Sequence, residues 1–309
     1  MKIGFIGFGS IAKRHINNLH TVFRSCNEPL IIDIFRSSKC DIPDEYKNKI
    51  NNAYLINSKV EKSYDAIFIT NPTSMHYDTL KNFIDYANAF FIEKPVFNTY
   101  EKDLSVFPDN KIYYVACPLR YNAVIQYVKN NIDFKNVYSI RAISSSYLPD
   151  WRPNTDYRNT YSAHKNLGGG VAIDLIHEWD YLTYLIGFPN TVYGFLKKES
   201  NLEIDCEDIA IYIAEYAHKT VELHLDYFGR CPMRMLELYS DKDTIKCDLI
   251  NSTIHFLKND HSIDFKEDRD VAQIRELQYF FNIINGSQKN ENTISTACKT
   301  LKLTEGKII

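Results

Sequence analysis

Three short segments carry residue types and spacings that could do chemistry. Gly7-Phe8-Gly9-Ser10-Ile11-Ala12 has two glycines and a small residue at the spacing of a phosphate-cradling turn. The first glycine permits a tight turn, the second lets backbone approach a pyrophosphate, and Ala12 allows a helix to pack closely on a strand. Glu93-Lys94-Pro95 offers an ammonium that the following proline biases toward extended or turn geometry, where it can polarise a hydroxyl or carbonyl oxygen. Gly168-Gly169-Gly170 opens a stretch in which Asp174, His177 and Asp180 recur every three residues, a spacing that puts all three on one face of a helix. Each segment also has a plain reading: glycines fill many turns, Glu-Lys is a common charged turn, and a lone helical histidine usually packs. The surrounding elements carry the weight.

Residues 1 to about 117 alternate short apolar runs with amphipathic stretches, the pattern of β-α-β units. The predicted strands are Lys2–Ile6, 30–35, Ala66–Ile69, Ala89–Ile92 and 112–116, mostly apolar throughout, as strands covered on both faces must be. The glycine turn follows the first strand at once and opens a helix predicted over 11–19, whose N-terminus offers free N–H groups and a positive dipole end to an anion. The rhythm changes after residue 118. A helix is predicted over 122–130, a strand over 137–146, a helix from the glycine triplet, and alternating strands from about 191 to 265, such as Val221, Leu223, Leu225 and Tyr227 interleaved with Glu222, His224, Asp226 and Phe228. That alternation predicts an antiparallel sheet with one covered face. Two last helices, 270–284 and 293–303, brace that sheet or return to the first domain. The domains are therefore set at 1–118, binding a dinucleotide, and 119–309, binding substrate.

Composition narrows the function. The net charge of −3, with Lys and Arg scattered, leaves no basic face for nucleic acid. No apolar run reaches membrane-spanning length and no cleavable leader is visible, which predicts a cytoplasmic protein. The seven cysteines (Cys26, Cys40, Cys117, Cys206, Cys231, Cys247, Cys298) form no Cys-x-x-Cys pair, and the nine histidines form no His-Glu-x-x-His, so neither a disulfide framework nor a metal site is expected.

The end of the second predicted strand selects the dinucleotide, since an acid there binds a ribose 2′-hydroxyl and an arginine accommodates a 2′-phosphate. Asp33 is followed by further apolar residues and so lies inside the strand; Arg36, Ser37 and Ser38 sit at its tip. They favour NADP, with NAD as the alternative. Ligands collect at the carboxyl ends of strands in such a sheet, which adds Asn71, Pro72 and His76, with Thr73 or Ser74 as helix cap, and Glu93 with Lys94. The predicted cofactor contacts are thus Gly7, Gly9, Ser10, Ile11, Arg36, Ser37, Ser38, Asn71, Pro72, His76, Glu93 and Lys94.

Gly7 to Leu19 (G-x-G-S-I-x-x-R-H-x-x-N-L), the strand ending in Glu93-Lys94-Pro95, and the later run from Gly168 to Asp180 together resemble the glucose-fructose oxidoreductase / inositol dehydrogenase / rhizopine catabolism (Gfo/Idh/MocA) family, in the right order over almost the whole chain. Tyr147 to Pro153, with Asp156-Tyr157-Arg158 and the strand Leu223 to Tyr227, resemble a branch associated with bacterial surface-sugar biosynthesis. The resemblance implies an α/β protein: a Rossmann doubly wound parallel sheet, then an α+β domain with a large, mostly antiparallel open sheet that carries substrate and commonly the contact of a homodimer or homotetramer. It implies an NAD(P)-dependent oxidoreductase acting on a secondary hydroxyl, or the matching ketone, of a sugar, sugar derivative or nucleotide-sugar. Lys94 matches the motif lysine and His177 the catalytic histidine, the proton acceptor.

One departure concerns Asp174, which precedes His177 by three residues where inositol-dehydrogenase-like members have four; a shared helix face would still let the two cooperate. Asp174 otherwise binds substrate hydroxyls or caps backbone, as does Asp180. Arg120, Tyr147, Trp151, Arg152, Asp174 and His177 are the predicted substrate contacts: aromatic faces suit the apolar side of a pyranose and arginine suits a phosphate or carboxylate on it. Trp151 alternatively seals a domain interface. Two rival readings keep the same fold: an enzyme that returns the hydride to its substrate, as an epimerase or redox-assisted glycosidase does, and a dinucleotide-sensing regulator without catalysis.

Overall fold

The structure, a computed structural model, describes residues 1–26, 28–38, 41–58, 60, 63–268 and 270–308, with residues 25, 26 and 308 described by backbone only. Cys40 and the Cys26 side chain, part of the cysteine expectation, lie outside the described residues; Cys117, Cys206, Cys231, Cys247 and Cys298 form no disulfide among the described residues. The chain forms two compact units, Met1–Ala116 with Asp270–Cys298, and Cys117–Arg269 with Lys299–Ile309.

The first unit is built on six strands: β1 Lys2–Ile6, β2 Ile31–Arg36, β3 Asn52–Leu55, β4 Ala66–Ile69, β5 Ala89–Ile92 and β6 Ile112–Val115. They pair in parallel in the order β3-β2-β1-β4-β5-β6. Every residue of β4 and β5 is buried, which is why both read as unbroken apolar runs. The unpredicted strand, β3, is the edge: three of its four residues are exposed, so it needs no apolar run. Helix α1 (Ser10–Cys26) continues past the predicted Leu19 because Val22 and Phe23 carry on its buried stripe. Short α2 (Asp44–Lys47) and α3 (His76–Phe83) complete the crossovers.

The segment 270–298 corrects the predicted 119–309 boundary. Helix α7 (Val271–Ile284) belongs to the first unit because its apolar face completes that core: Phe280 is fully buried against the rings of Phe68, Phe91 and Tyr114 at 5.3–5.8 Å. Gln273 accepts from Asn18 at 3.2 Å, Glu276 accepts from the Tyr114 hydroxyl at 3.1 Å, and Asn292 exchanges hydrogen bonds with the Val115 backbone at 2.9 Å. A core is a spatial object, and chain order does not bound it.

The second unit carries a nine-stranded sheet from β7 Val137–Ser145, β8 Thr191–Lys197, β9 Ile209–Tyr216, β10 Lys219–Asp226, β11 Met233–Ser240, β12 Thr244–Asp248, β13 Thr253–Phe256, β14 His261–Asp264 and β15 Lys307–Ile308. The order is β14-β13-β12-β11-β7-β10-β9-β8-β15, antiparallel except for β7 beside β10. Val221, Leu223 and Leu225 of β10 face a core that also holds Val192, Tyr212 and Leu236. Helices α4 (Ala123–Asn131), α5 (Val171–Asp174) and α6 (His177–Ile186) cover that face, the Trp179 ring meeting Tyr212 edge-on at 5.3 Å. Helix α7 (Val271–Ile284) and α8 (Ile294–Leu303) close the chain order, α8 containing the point where the chain leaves the first unit. The fold is the predicted one, a parallel Rossmann sheet followed by a mostly antiparallel open sheet.

Candidate active site

The glycine turn stands where the first unit's strand order reverses, between β1 and β4, the crevice at which open α/β sheets bind ligands. Gly7 has φ +98°, and its N–H donates to Phe35 O at 2.9 Å. A Cβ there would lie 2.9 Å from the Asn71 backbone nitrogen, so only glycine lets this turn close against the loop after β4. At Gly9 a Cβ would meet nothing within 4 Å. The second glycine is therefore not required by packing; it leaves a bare backbone surface at the head of α1, whose first turn holds no acidic side chain. Ser10 is exposed and Ile11 half-buried at the same point.

At the neighbouring strand end, Asp33 is committed inside β2: one carboxylate oxygen accepts from Asn52 at 2.8 Å and the other from the Tyr64 hydroxyl at 2.9 Å. Its burial of all but 1% puts it out of reach of a ribose, as its place inside the strand predicted. Arg36 is half-buried at the strand end, and its Nε is buried with no hydrogen-bond partner among the described residues; Ser37 and Ser38 follow, exposed.

His76, a predicted cofactor contact, is instead used for structure. It is 1% exposed, with Nδ1 at 3.1 Å from Pro95 O and 3.2 Å from Val96 O, and Nε2 at 2.9 Å from Asn71 O. The imidazole thus joins the loops after β4 and β5, and burial pushes its pKa below the ordinary value although all three carbonyls and Glu93 favour the proton. Beside it, the Asn71 amide donates to Thr79 at 2.7 Å while its Oδ1 is buried without a partner among the described residues; Pro72 is exposed.

Glu93 and Lys94 lie half-buried at the carboxyl end of β5, with a cis peptide linking Lys94 to Pro95. Glu93 Oε1 is 2.6 Å from Nε2 of His15, which is 1% exposed on α1, and Oε2 accepts from the Lys94 backbone N–H at 3.2 Å. Burial works to raise the Glu93 pKa, but the hydrogen bond and charge of His15, then Lys94 and His76, hold it below the usual carboxylate range. The sequence motif contains His15, but its role was not readable: the contact spans 78 residues, and only the sheet brings α1 over the end of β5.

In the second unit Gly168 meets a backbone need, φ +86° with open space around it, while Gly169 and Gly170 are crowded. A Cβ on Gly169 would lie 2.3 Å from Tyr161 O and 2.8 Å from the carbonyls of Ser162 and His164, and one on Gly170, at φ +123°, would lie 2.2 Å from a Glu207 oxygen. The continuous helix expected through Asp174, His177 and Asp180 is interrupted. Helix α5 ends at Asp174, Leu175 departs from helical geometry at ψ 29°, and α6 starts at His177. The two aspartates consequently turn to different partners. Asp174, 3% exposed, accepts from the hydroxyls of Tyr161 at 2.7 Å and Tyr227 at 2.9 Å, raising both phenol pKa values together with burial. Asp180 accepts the Arg120 fork, Nε at 2.9 Å and a terminal nitrogen at 2.8 Å, with the guanidinium 5.1 Å from the Tyr184 ring centroid. Arg120, 4% exposed, is thereby an anchor of α6. His177 is half-buried at the head of α6.

The remaining predicted substrate contacts follow β7. Trp151 donates its indole N–H to Ser146 at 2.9 Å and meets Tyr227 edge-on at 5.3 Å; Arg152 lies 5.3 Å from the Tyr161 ring centroid, and Tyr147 stacks under Arg230 at 3.7 Å. Sequence reasoning missed the roles of Tyr161 and Tyr227 and the ion pair of fully buried Glu178 with Arg234 at 2.7 Å: Tyr227 reads only as one more apolar position of an alternating strand, and the contacts span 13, 53 and 56 residues.

The first unit fits a dinucleotide. Gly9 bares backbone at the head of a 17-residue helix, and two buried polar atoms at the adjoining strand ends, Arg36 Nε and Asn71 Oδ1, lack partners among the described residues. Among the described residues, no group of three His, Cys, Asp or Glu side chains is placed to hold a metal, and no helix is long and apolar enough to cross a membrane.

Comparisons with known proteins agree with this fold. The family described as "Oxidoreductase family, NAD-binding Rossmann fold" matches residues 1–106, and the "GFO/IDH/MocA C-terminal domain" matches residues 125–246. An inositol 2-dehydrogenase/D-chiro-inositol 3-dehydrogenase of Lacticaseibacillus casei is 23% identical over 194 residues, 60% of this chain and 53% of that protein. The chain thus spans about half the length of the curated relatives it matches. Among solved structures, a levoglucosan dehydrogenase in complex with NADH has TM-score 0.81 at 15% identity, covering 99% of this chain and 95% of the other. The WlbA dehydrogenase from Bordetella pertussis, in complex with NADH and UDP-GlcNAcA, has TM-score 0.77 at 16% identity, covering 99% and 94%. With its Rossmann turn, its Glu93-Lys94-Pro95 strand end and its nine-stranded open sheet, the chain belongs to the Gfo/Idh/MocA oxidoreductase family.

Proposed function

We propose that the protein is an NAD(P)-dependent dehydrogenase or reductase acting on a secondary hydroxyl, or the matching ketone, of a sugar, sugar derivative or nucleotide-sugar, in the cytoplasm and in surface-glycan biosynthesis. The carrying observation is the bare Gly9 turn at the β1–β4 switch point with Lys94 at the carboxyl end of β5, one strand away. Named relatives and neighbours that act on or bind inositol, levoglucosan and a UDP-sugar support the substrate class.

The bound dinucleotide supplies the redox chemistry as hydride acceptor or donor. Lys94 steadies the substrate oxygen with its ammonium, its backbone held by Glu93, which His15 holds in turn. His177 takes the hydroxyl proton; an imidazole suits that task at cellular pH. Asp174 orients the segment entering α6 through its two tyrosine hydroxyls, and Arg120 fixes α6 through Asp180. NADP is the preferred dinucleotide: Arg36 at the β2 end has a buried nitrogen without a partner among the described residues, while the acid of that strand, Asp33, is spent on Asn52 and Tyr64. The outward face of the second unit's sheet supports a homodimer or homotetramer, since Tyr193 and Phe195 are 58% and 53% exposed beside Ile213 and Ile211.

Turnover of a panel of free and UDP-linked sugars, measured with each dinucleotide at equal concentration, tests the reading. Net change in reduced-cofactor absorbance with one substrate class is expected, faster with NADP, and lost in Lys94→Ala and His177→Ala proteins that still bind the cofactor. Retained activity in both variants refutes the roles, product without net cofactor change identifies a hydride-recycling enzyme, and a clear NAD preference refutes the cofactor choice.

A further inference from the structure

At one end of the second unit's sheet, three strands that run in the same direction, β7, β10 and β8, all terminate, and their following loops line an open cavity of about 470 Å³. Tyr147 comes from beyond β7, Phe228 and Arg230 from beyond β10, Ser200 and Leu202 from beyond β8, and Tyr157 closes the wall. The volume lies within the few hundred to about 1,000 Å³ of small-molecule sites.

Two buried carboxylates are spent on shaping these walls. Asp208, fully buried, accepts from the backbone N–H groups of Glu199 at 2.7 Å and Ser200 at 3.0 Å and pairs with Lys198 at 3.2 Å. Asp226, 3% exposed, accepts from Phe228 N at 3.0 Å and Gly229 N at 2.8 Å. The Tyr157 hydroxyl accepts from Glu203 N at 3.0 Å, tying the third wall to the loop after β8. A cavity whose loops are fixed in this way loses little entropy on taking a ligand.

Its chemistry is aromatic with one uncommitted cation. Arg230 stacks on Tyr147 with 3.7 Å from guanidinium carbon to ring centroid, which leaves the edge of the fork for in-plane acceptors. The wall's acid, Glu199, is engaged by Lys197 at 2.7 Å, and no carboxylate among the described residues is within ion-pair distance of Arg230. Aromatic faces beside a guanidinium suit a ring that carries an anionic group.

We propose that this cavity binds a ring-borne phosphate or carboxylate, the non-reacting end of the substrate, with the ring against Tyr147, Tyr157 or Phe228 and the anion on Arg230. The identity of the ligand rests on the sugar-dehydrogenase reading; the existence of the site does not. Two sources share this chemistry, a nucleoside diphosphate and an acidic sugar.

Calorimetric titration of the full chain with UDP, glucuronate and inorganic phosphate, with NADPH saturating so that the glycine turn is already filled, tests the site. UDP or glucuronate binding more than tenfold tighter than phosphate is expected, weakened at least tenfold in Arg230→Gln and in Phe228→Ala; UDP as the tighter ligand assigns the nucleotide, glucuronate the acidic sugar. Absence of binding by either, or equal affinity in wild type and Arg230→Gln, overturns the proposal. Because binding alone is read, anion binding through Arg230 in a protein without dehydrogenase turnover keeps this site and refutes the function, and turnover without it does the reverse.

Discussion

Replacing His15 by leucine tests whether the contact behind Lys94 has the energetic weight its geometry implies. His15 Nε2 lies 2.6 Å from Glu93 Oε1, and the two side chains are 1% and 12% exposed. The substitution keeps an apolar side chain of similar bulk among Phe68 and Phe91 but leaves the Glu93 carboxylate desolvated, with only the Lys94 N–H at 3.2 Å to meet it. Removing one member of a buried pair costs about 3–5 kcal/mol. Lys94 and His76 still favour the charged carboxyl, so the lower end, about 3 kcal/mol, applies. In a unit of this size that is a fall of roughly 10 °C in Tm. The pH dependence carries a second signature. In the wild type the folded Glu93 pKa lies below its ordinary 4.5, so its contribution is complete above that value and fades as pH falls through the folded one. Without His15 burial meets less opposition, the carboxyl takes up a proton more readily, and the deficit against wild type shrinks on acidification from about pH 7 to about pH 5. Thermal unfolding followed by circular dichroism at both pH values reads both effects. A loss below about 1 kcal/mol, or a deficit that widens in acid, refutes the reasoning.

The other expectations concern packing and the cofactor turn. Gly9→Ala, whose Cβ meets nothing within 4 Å, should leave Tm within about 1 °C of wild type yet weaken NADPH binding at least tenfold by fluorescence titration; unaltered affinity would remove the pyrophosphate from this turn. Gly169→Ala places a Cβ 2.3–2.8 Å from three backbone carbonyls and should lower stability by about 1–3 kcal/mol in denaturant unfolding. Burial holds the His76 pKa below its ordinary 6.5, so the folded state takes up fewer protons than the unfolded chain and stability should fall as pH drops through that value; a His76→Gln protein with the same slope would show that another group is responsible. Arg120→Leu strands Asp180 with its side chain 11% exposed and should cost about 3–5 kcal/mol, most of it recovered in the Arg120→Leu, Asp180→Leu double variant.

Much of the fold was open to inspection in the sequence because local physics carried it. β1, β4 and β5 are short apolar runs because both faces of a parallel sheet are covered, and the turn at Gly7 and Gly9 is fixed by sterics that act within a few residues. The alternation of Val221, Leu223 and Leu225 announced a sheet with one wet face. The edge strand β3 gave no such signal, as its exposed residues obey no burial pattern. Asp174, His177 and Asp180 illustrate the limit of spacing arguments: intervals of three predict a shared helical face, but the break at Leu175 and Ile176 sends the two aspartates to Tyr161, Tyr227 and Arg120, residues up to 60 positions away.

By itself, then, the sequence determined the sheet types, the glycine turn after β1 and the strand end that carries Lys94, because dihedral limits and hydrophobic periodicity operate over a few residues. Tertiary structure alone decided that 270–298 completes the first core, that His15 holds Glu93, and which carboxylates are spent on protein partners. Those outcomes depend on desolvation, which is a property of what surrounds a group in space and is not written in its neighbours along the chain.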